Sequence, residues 1–140
     1  MSAALRYLNS FSLVGSILFF GYFGFFEPPF LSYENLPFRP ITPKVKPGDP
    51  VLLAVRRCNN DSQTRLYGTA RALVSNRTQV ILPAQQVSIP PGCHDGISSL
   101  TVIPLGTPPG IYHLEGLAEA QGTLRTSLVK WSSGEFEVSP

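Results

Sequence analysis

The stretch FSLVGSILFFGYFGFF, residues 11–26, runs sixteen residues without a charge, behind a short head whose one basic side chain is Arg6. Extended back through Tyr7 and Leu8, it reaches the ~20 residues that a helix rising ~1.5 Å per residue needs to cross a ~30 Å hydrocarbon layer. A signal-peptide hydrophobic region is shorter and ends at small residues fit for cleavage. Here the run passes into Phe25, Phe26, Glu27, Pro28 and Pro29, so retention is expected over removal. A soluble helix that is apolar all round needs a chain large enough to surround it. The rest of these 140 residues is too small for that.

Residues 1–26 are therefore expected to form an N-terminal transmembrane helix in contact with the lipid bilayer, with Phe11, Gly15, Phe19, Phe20, Phe23 and Phe26 in the span. Tyr7 and Tyr22 suit interfacial positions, where a ring is half wetted. Ser12, Gly15 and Ser16 share one helical face and form a candidate packing face for another helix. Arg6 and the N-terminus precede the span, whereas Glu27 and Glu34 follow it and the first later cation is Arg39. The positive-inside tendency then puts the N-terminus in the cytoplasm of a single-pass protein of the inner or plasma membrane, and the remainder in the periplasm or outside the cell.

Next comes EPPFLSYENLPFRPITPKVKP, with six prolines in 21 residues. Each proline removes a donor and fixes φ, so no helix or central strand can run through it. Residues 27–46 are read as a proline-rich, semi-stiff stalk, whose Phe30, Tyr33 and Phe38 could rest on a membrane or a partner.

Beyond the stalk, residues 47–140 form one domain. With 14 Pro, 12 Gly and 14% charged residues, the chain has the composition of a folded, strand-rich protein rather than a disordered one. Turn signals recur at the short intervals of an all-β sandwich or barrel. Strands are expected at 51–58, 65–75, 78–89, 97–105, 111–120 and 124–138, the last kinked at Gly134, with a short first strand near 41–45 making seven. Pro83 interrupts the strand over 78–89, which marks it as an edge or bulged strand. LEGLAEAQ, at 114–121, contains good helix formers, but its flanking turns favour a strand.

The run TVIPLGTPPGIYHLEG, followed by a closing strand ending GEFEV, resembles the last three strands of immunoglobulin-like β-sandwich domains of membrane-anchored bacterial envelope and phage proteins. The resemblance covers roughly residues 46–138 and implies an all-β, seven-stranded immunoglobulin-like sandwich. Such domains serve as adhesion, transport-accessory and polymer-binding modules, so it implies a fold and little chemistry. The chain departs from antibody-type domains. No cysteine lies in the sixth strand and Trp131 is in the last, which excludes the conventional inter-sheet disulfide.

Cys58 and Cys93 are compatible with a disulfide, free thiols or small hydrophobes, and spacing alone does not choose. In an alternating seven-strand topology, Cys58 closes the second strand and Cys93 lies in the loop after the fourth. Both then fall at the end facing the stalk and the membrane. Adjacent loops can bring two Cα atoms within the ~4.4–6.8 Å a bridge needs, and an oxidising space favours one. Closing this loop contributes on the order of 3–4 kcal/mol in the chain-entropy model. The rival reading takes Cys58, Cys93 and His94 as a copper or thiol-redox site, although metal sites want three or four convergent ligands.

Elsewhere, Tyr112 is expected inward and His113 wet. Arg56 and Arg57 point to opposite faces, so at most one is inward and needs an acid such as Glu115 or Glu137. Asn60 and Asn76 begin N-x-S/T sequons in predicted loops. No nucleotide, hydrolase or zinc-protease motif occurs, and no cofactor is implied. The +2 net charge is scattered as single residues, without the basic stripe a nucleic acid requires. The expected function is non-enzymatic: an extracytoplasmic interaction domain on a single span, serving as an accessory or structural subunit among other protein subunits of an envelope or virion assembly. A cleaved, secreted binding module is the further alternative.

Overall fold

The structure, a computed structural model, describes residues 3–140; the side chain of Leu8, counted in the apolar run above, lies outside the described residues. Helix α1, Ala3–Gly21, continues into a π-helical turn, Tyr22–Phe26, and the two make one apolar rod. Its window Asn9–Phe26 has a mean hydropathy of 1.4 and none of it is buried, so it is long and apolar enough to cross a membrane. Aromatic rings stack along it, with the Phe19 and Phe23 centroids 4.7 Å apart.

The remainder is all β, in two sheets. Ten strands occur among the described residues: β1 Leu31–Tyr33, β2 Arg39–Pro40, β3 Lys44–Val45, β4 Pro50–Asn59, β5 Arg65–Val74, β6 Gln79–Ile89, β7 Gly92–Val102, β8 Gly110–Gln121, β9 Thr126–Ser132 and β10 Phe136–Val138. The seven-strand expectation is corrected in two places. Residues 27–46, expected as a stalk, contribute β1 and β2 as well as β3. The single closing strand is two, because the chain between Ser132 and Phe136 turns to bond the N-terminal segment: Phe38 bridges Ser133, which still bonds Leu114, and Gly134 N–H donates to Phe38 O at 2.9 Å.

One sheet has β4 at its centre, with β7 along one side and β1 and β2 in turn along the other. The second runs β6–β5–β8, with β9 and β10 in turn along the far side of β8 and β3 parallel to β10. Both β6 and β7 thus end their sheets, and the turn between them uses Gly92 at φ 92°, a conformation glycine adopts without steric cost. Pro83 sits where the β5–β6 register shifts, as a proline inside a strand must.

Period-two alternation builds the core. Val51, Leu53 and Val55 of β4 face Leu73, Tyr112 and Leu114 of the other sheet, all at most 5% exposed. Proline-rich residues 28–47 are buried with the sheets, since short edge strands tolerate proline: Phe38 and Val45, 2% and 5% exposed, join this core, and Leu31, 0% exposed, packs in a second cluster with Tyr67 and Ile89. At roughly 1.5–3 kcal/mol for each large apolar side chain, their burial ties the segment firmly to the sheets. Trp131 packs across Gly116, where an added Cβ would stand 2.0 Å from the ring.

Candidate functional site

The rod meets the sheets through one acid. Glu27 is 7% exposed, and its carboxylate accepts from Thr123 N–H and Thr123 Oγ1, each at 3.0 Å. Its carbonyl accepts from Arg125 Nη2 at 2.9 Å. Thr123 and Arg125 lie in the β8–β9 hairpin, which turns tightly because Gly122 N–H donates to Arg125 O at 2.7 Å. A side chain at Gly122 would crowd the Glu27 carboxylate at 3.1 Å. No sequence signal announces this clamp, since its partners are 96 and 98 residues apart.

The same end carries the cysteines. Cys58 and Cys93 are directly opposed in the β4–β7 ladder and form a disulfide, with Cα atoms 4.0 Å apart. Both are strand residues, so the expectation that Cys93 lies in a loop is corrected: β7 starts as soon as the Pro90–Pro91 turn is complete. The bridge lies within one sheet rather than between sheets. His94 does not join the sulfurs. As the next strand residue it points to the opposite face, where its Nε2 lies 2.8 Å from Pro91 O. Glu34 approaches instead, with Oε1 3.8 Å from Cys93 Sγ. Glu34, Cys58 and Cys93 form a potential ligand group, but sulfurs bonded to each other are not thiolate donors.

Arg56 organises the outer surface beside the bridge. Its Nε donates to Glu34 at 2.6 Å and its Nη1 to Asp95 at 2.8 Å, which together hold its guanidinium above the usual range. Asn35 accepts from Arg56 N–H at 2.8 Å and donates to Ala54 O at 3.1 Å, in the manner of an added strand residue. Arg57 is the inward arginine, yet neither expected acid meets it: Glu115 pairs with His113 at 2.9 Å and Glu137 with Lys44 at 3.5 Å. Tyr112 is inward as expected, 2% exposed, its hydroxyl donating to Pro108 O at 2.8 Å.

Two further surfaces bear on contact. Strand β6 leaves one row of backbone donors and acceptors without a strand neighbour among the described residues, with Ile81 74% exposed on its outer face. On the helix, Ser16 Oγ donates to Ser12 O at 2.8 Å, and the space above Gly15 is open. Asn60 and Asn76 are exposed, in the connections after β4 and β5.

No protein-family model and no curated protein sequence matches the chain. Among solved structures it is similar to the alkylpurine DNA glycosylase AlkC of Pseudomonas fluorescens bound to DNA containing an abasic site analog, at 12% identity and TM-score 0.46 over 80% of this chain and 31% of that one. It is also similar to the sporulation control protein Spo0M of Bacillus subtilis, at 13% identity and TM-score 0.39 over 77% and 47%. A third is a β-glucosidase from Listeria innocua in complex with laminaribiose, at 12% identity and TM-score 0.31 over 78% and 16%. The chain spans less than half the length of each.

Proposed function

We propose that this chain is a non-enzymatic, single-span membrane protein that displays an immunoglobulin-like interaction domain outside the cytoplasm, as an accessory or structural subunit of an envelope or virion assembly. The observation that carries the reading is an apolar rod with none of its span buried, joined at Glu27 to the β8–β9 hairpin. A soluble chain has no means of covering such a rod, whereas a bilayer covers it at no cost. The clamp would then hold the disulfide end of the sheets close to the headgroups. Arg6 before the span, with Glu27 and Glu34 after it, favours a cytoplasmic N-terminus.

A bridge between Cys58 and Cys93 suits an oxidising space. Two facing, mostly antiparallel sheets support the immunoglobulin-like assignment, and contact falls to the β6 edge, which can accept a partner strand. The test is purification of the full chain from native membranes in mild detergent, with crosslinking and gel filtration. Co-migrating subunits are expected; a solitary monomer, or recovery of the intact chain from the soluble cytosol, overturns the proposal. An intact mass of the mature chain decides against or for a cleaved, secreted form.

A further inference from the structure

The core of the domain is not continuous. One apolar cluster centres on Leu53, Leu73 and Leu114, and a second on Leu31, Tyr67 and Ile89, with Tyr33 touching both. Between them lies a cavity of about 30 Å³ with a polar lining. Its charged members come from opposite sheets. On β4 the inward alternation Val51, Leu53, Val55 continues to Arg57, and on β5 the inward series Tyr67, Thr69 continues to Arg71. Among the described residues, no aspartate or glutamate lines the cavity.

Three observations point to an absent guest. First, among the described residues no carboxylate pairs with Arg57; Glu34 and Asp95 pair with Arg56, Glu115 with His113 and Glu137 with Lys44. Burial pushes the Arg57 guanidinium below its usual range, with Tyr33 opposing that shift. A charge withdrawn from water is ordinarily paired. Second, Arg71 is held in place, Nη1 donating to Thr101 Oγ1 at 2.8 Å and Nη2 to Pro83 O at 2.9 Å, so its fork is oriented before any guest arrives. Third, two buried hydroxyls have protons to give. Thr101 Oγ1 accepts from Arg71, and Thr69 Oγ1 accepts from Trp131 Nε1 at 3.2 Å, while neither donates to any acceptor among the described residues. Thr69 and Thr101 are 8% and 5% exposed.

We propose that the cavity between the two core clusters is a carboxylate-binding site, in which Arg57 and Arg71 hold one carboxylate group and the hydroxyls of Thr69 and Thr101 complete its hydrogen bonds. Guanidinium forks match planar carboxylates in two-point contact. A space of 30 Å³ holds two or three waters, or the head of one carboxylate, and excludes a nucleotide or a sugar. Access is along the flank where β6 and β7 end their sheets: Gln85 and Ser98 line the cavity from those strands and both are half-buried. A small free acid, or an acidic side chain or C-terminus of a polypeptide laid along that flank, presents the same group. The site does not depend on how the chain is anchored.

The full chain in detergent micelles is titrated with sodium formate at constant ionic strength, read by Trp131 fluorescence and by thermal melting. Trp131 lines the cavity and is the single tryptophan. A saturable fluorescence change and a Tm rise of at least about 4 °C are expected. Arg57→Met should abolish both, and Thr69→Val should weaken formate binding about tenfold while keeping both arginines. Saturation by formate assigns a free acid as sufficient. A response only to a peptide with an internal glutamate, or only to one with a free C-terminus, assigns the polypeptide source. Equal response to chloride overturns the carboxylate class, and no response of wild type to formate or either peptide means that water alone fills the cavity.

Discussion

Glu27 and Thr123, separated by 96 residues, hold each other twice, backbone N–H to one carboxylate oxygen and hydroxyl to the other, both at 3.0 Å. This pair fixes the end of the apolar rod against the sheets, so the rod's end and the β8–β9 hairpin form one mechanical unit.

Removing the acid should loosen that unit. Glu27→Ala leaves the Thr123 amide and hydroxyl without their acceptors, while the main-chain carbonyl that Arg125 bonds is kept, at a cost of about 1–3 kcal/mol. Because the effect is local, amide hydrogen exchange at Thr123 should quicken by roughly ten- to a hundredfold while β4 and β5 amides keep their protection. Unchanged exchange at Thr123 would show that the clamp does not hold in solution.

The disulfide should matter to stability rather than to fold. Cys58 and Cys93 are 35 residues apart, and closing such a loop contributes about 3–4 kcal/mol. The Cys58→Ala, Cys93→Ala double variant should keep its far-ultraviolet β signature and melt about 10–15 °C lower. Thiol titration of the unreduced wild type should return none per chain. Two reactive thiols there would favour the redox reading, with Glu34 beside them.

What the sequence disclosed was local in origin. Alternation wrote Val51, Leu53 and Val55 into a strand, and Pro83 marked β6 as an edge because a proline lacks the donor a central ladder needs. The cysteine pair was legible as a bridge, but its position inside the ladder was not, since the boundary of β7 depends on a turn closed by Gly92. Leu31 and Phe38 were hidden because proline density reads as stalk, while burial is decided by sheets assembled from residues far along the chain. Arg57 shows the limit most clearly. Its inward facing follows from period two, but where each acid goes is a tertiary outcome, and Glu34 and Asp95 gather around Arg56 instead.

Alkaline pH should reveal the half-buried phenol of Tyr33 near Arg57. Burial pushes Tyr33 up to about 12, with nearby Arg57 pulling the other way. The unfolded chain releases this proton near pH 10 and the folded chain holds it, so the native state binds more protons between pH 10 and 12. Stability is therefore complete below pH 10 and falls as pH rises, by about 1.4 kcal/mol per unit and up to about 2–3 kcal/mol in all. Urea denaturation at pH 9.5 and 11.5 should show the loss, and Tyr33→Phe should remove most of it, leaving a residue from Tyr67, whose phenol burial also raises. Equal slopes in wild type and variant would mean that Tyr33 ionises freely.

Gly116 and Trp131 give the sharpest packing test. They are directly opposed in the β8–β9 ladder, and a Cβ on Gly116 would stand 2.0, 2.2 and 2.3 Å from three atoms of the indole. That ring touches Phe38, with centroids 5.7 Å apart, and donates its N–H to Thr69, so it cannot slide without breaking a hydrogen bond and an aromatic contact. Gly116→Ala should therefore cost about 1–3 kcal/mol and shift tryptophan emission to the red as the indole swings toward water. Gly68→Ala, also in a strand but with nothing within 4 Å of the added carbon, is the control and should be neutral or slightly stabilising. If the two alanine variants melt together with unchanged emission, Trp131 does not lie over Gly116, and the wall it gives the inter-sheet cavity is absent as well.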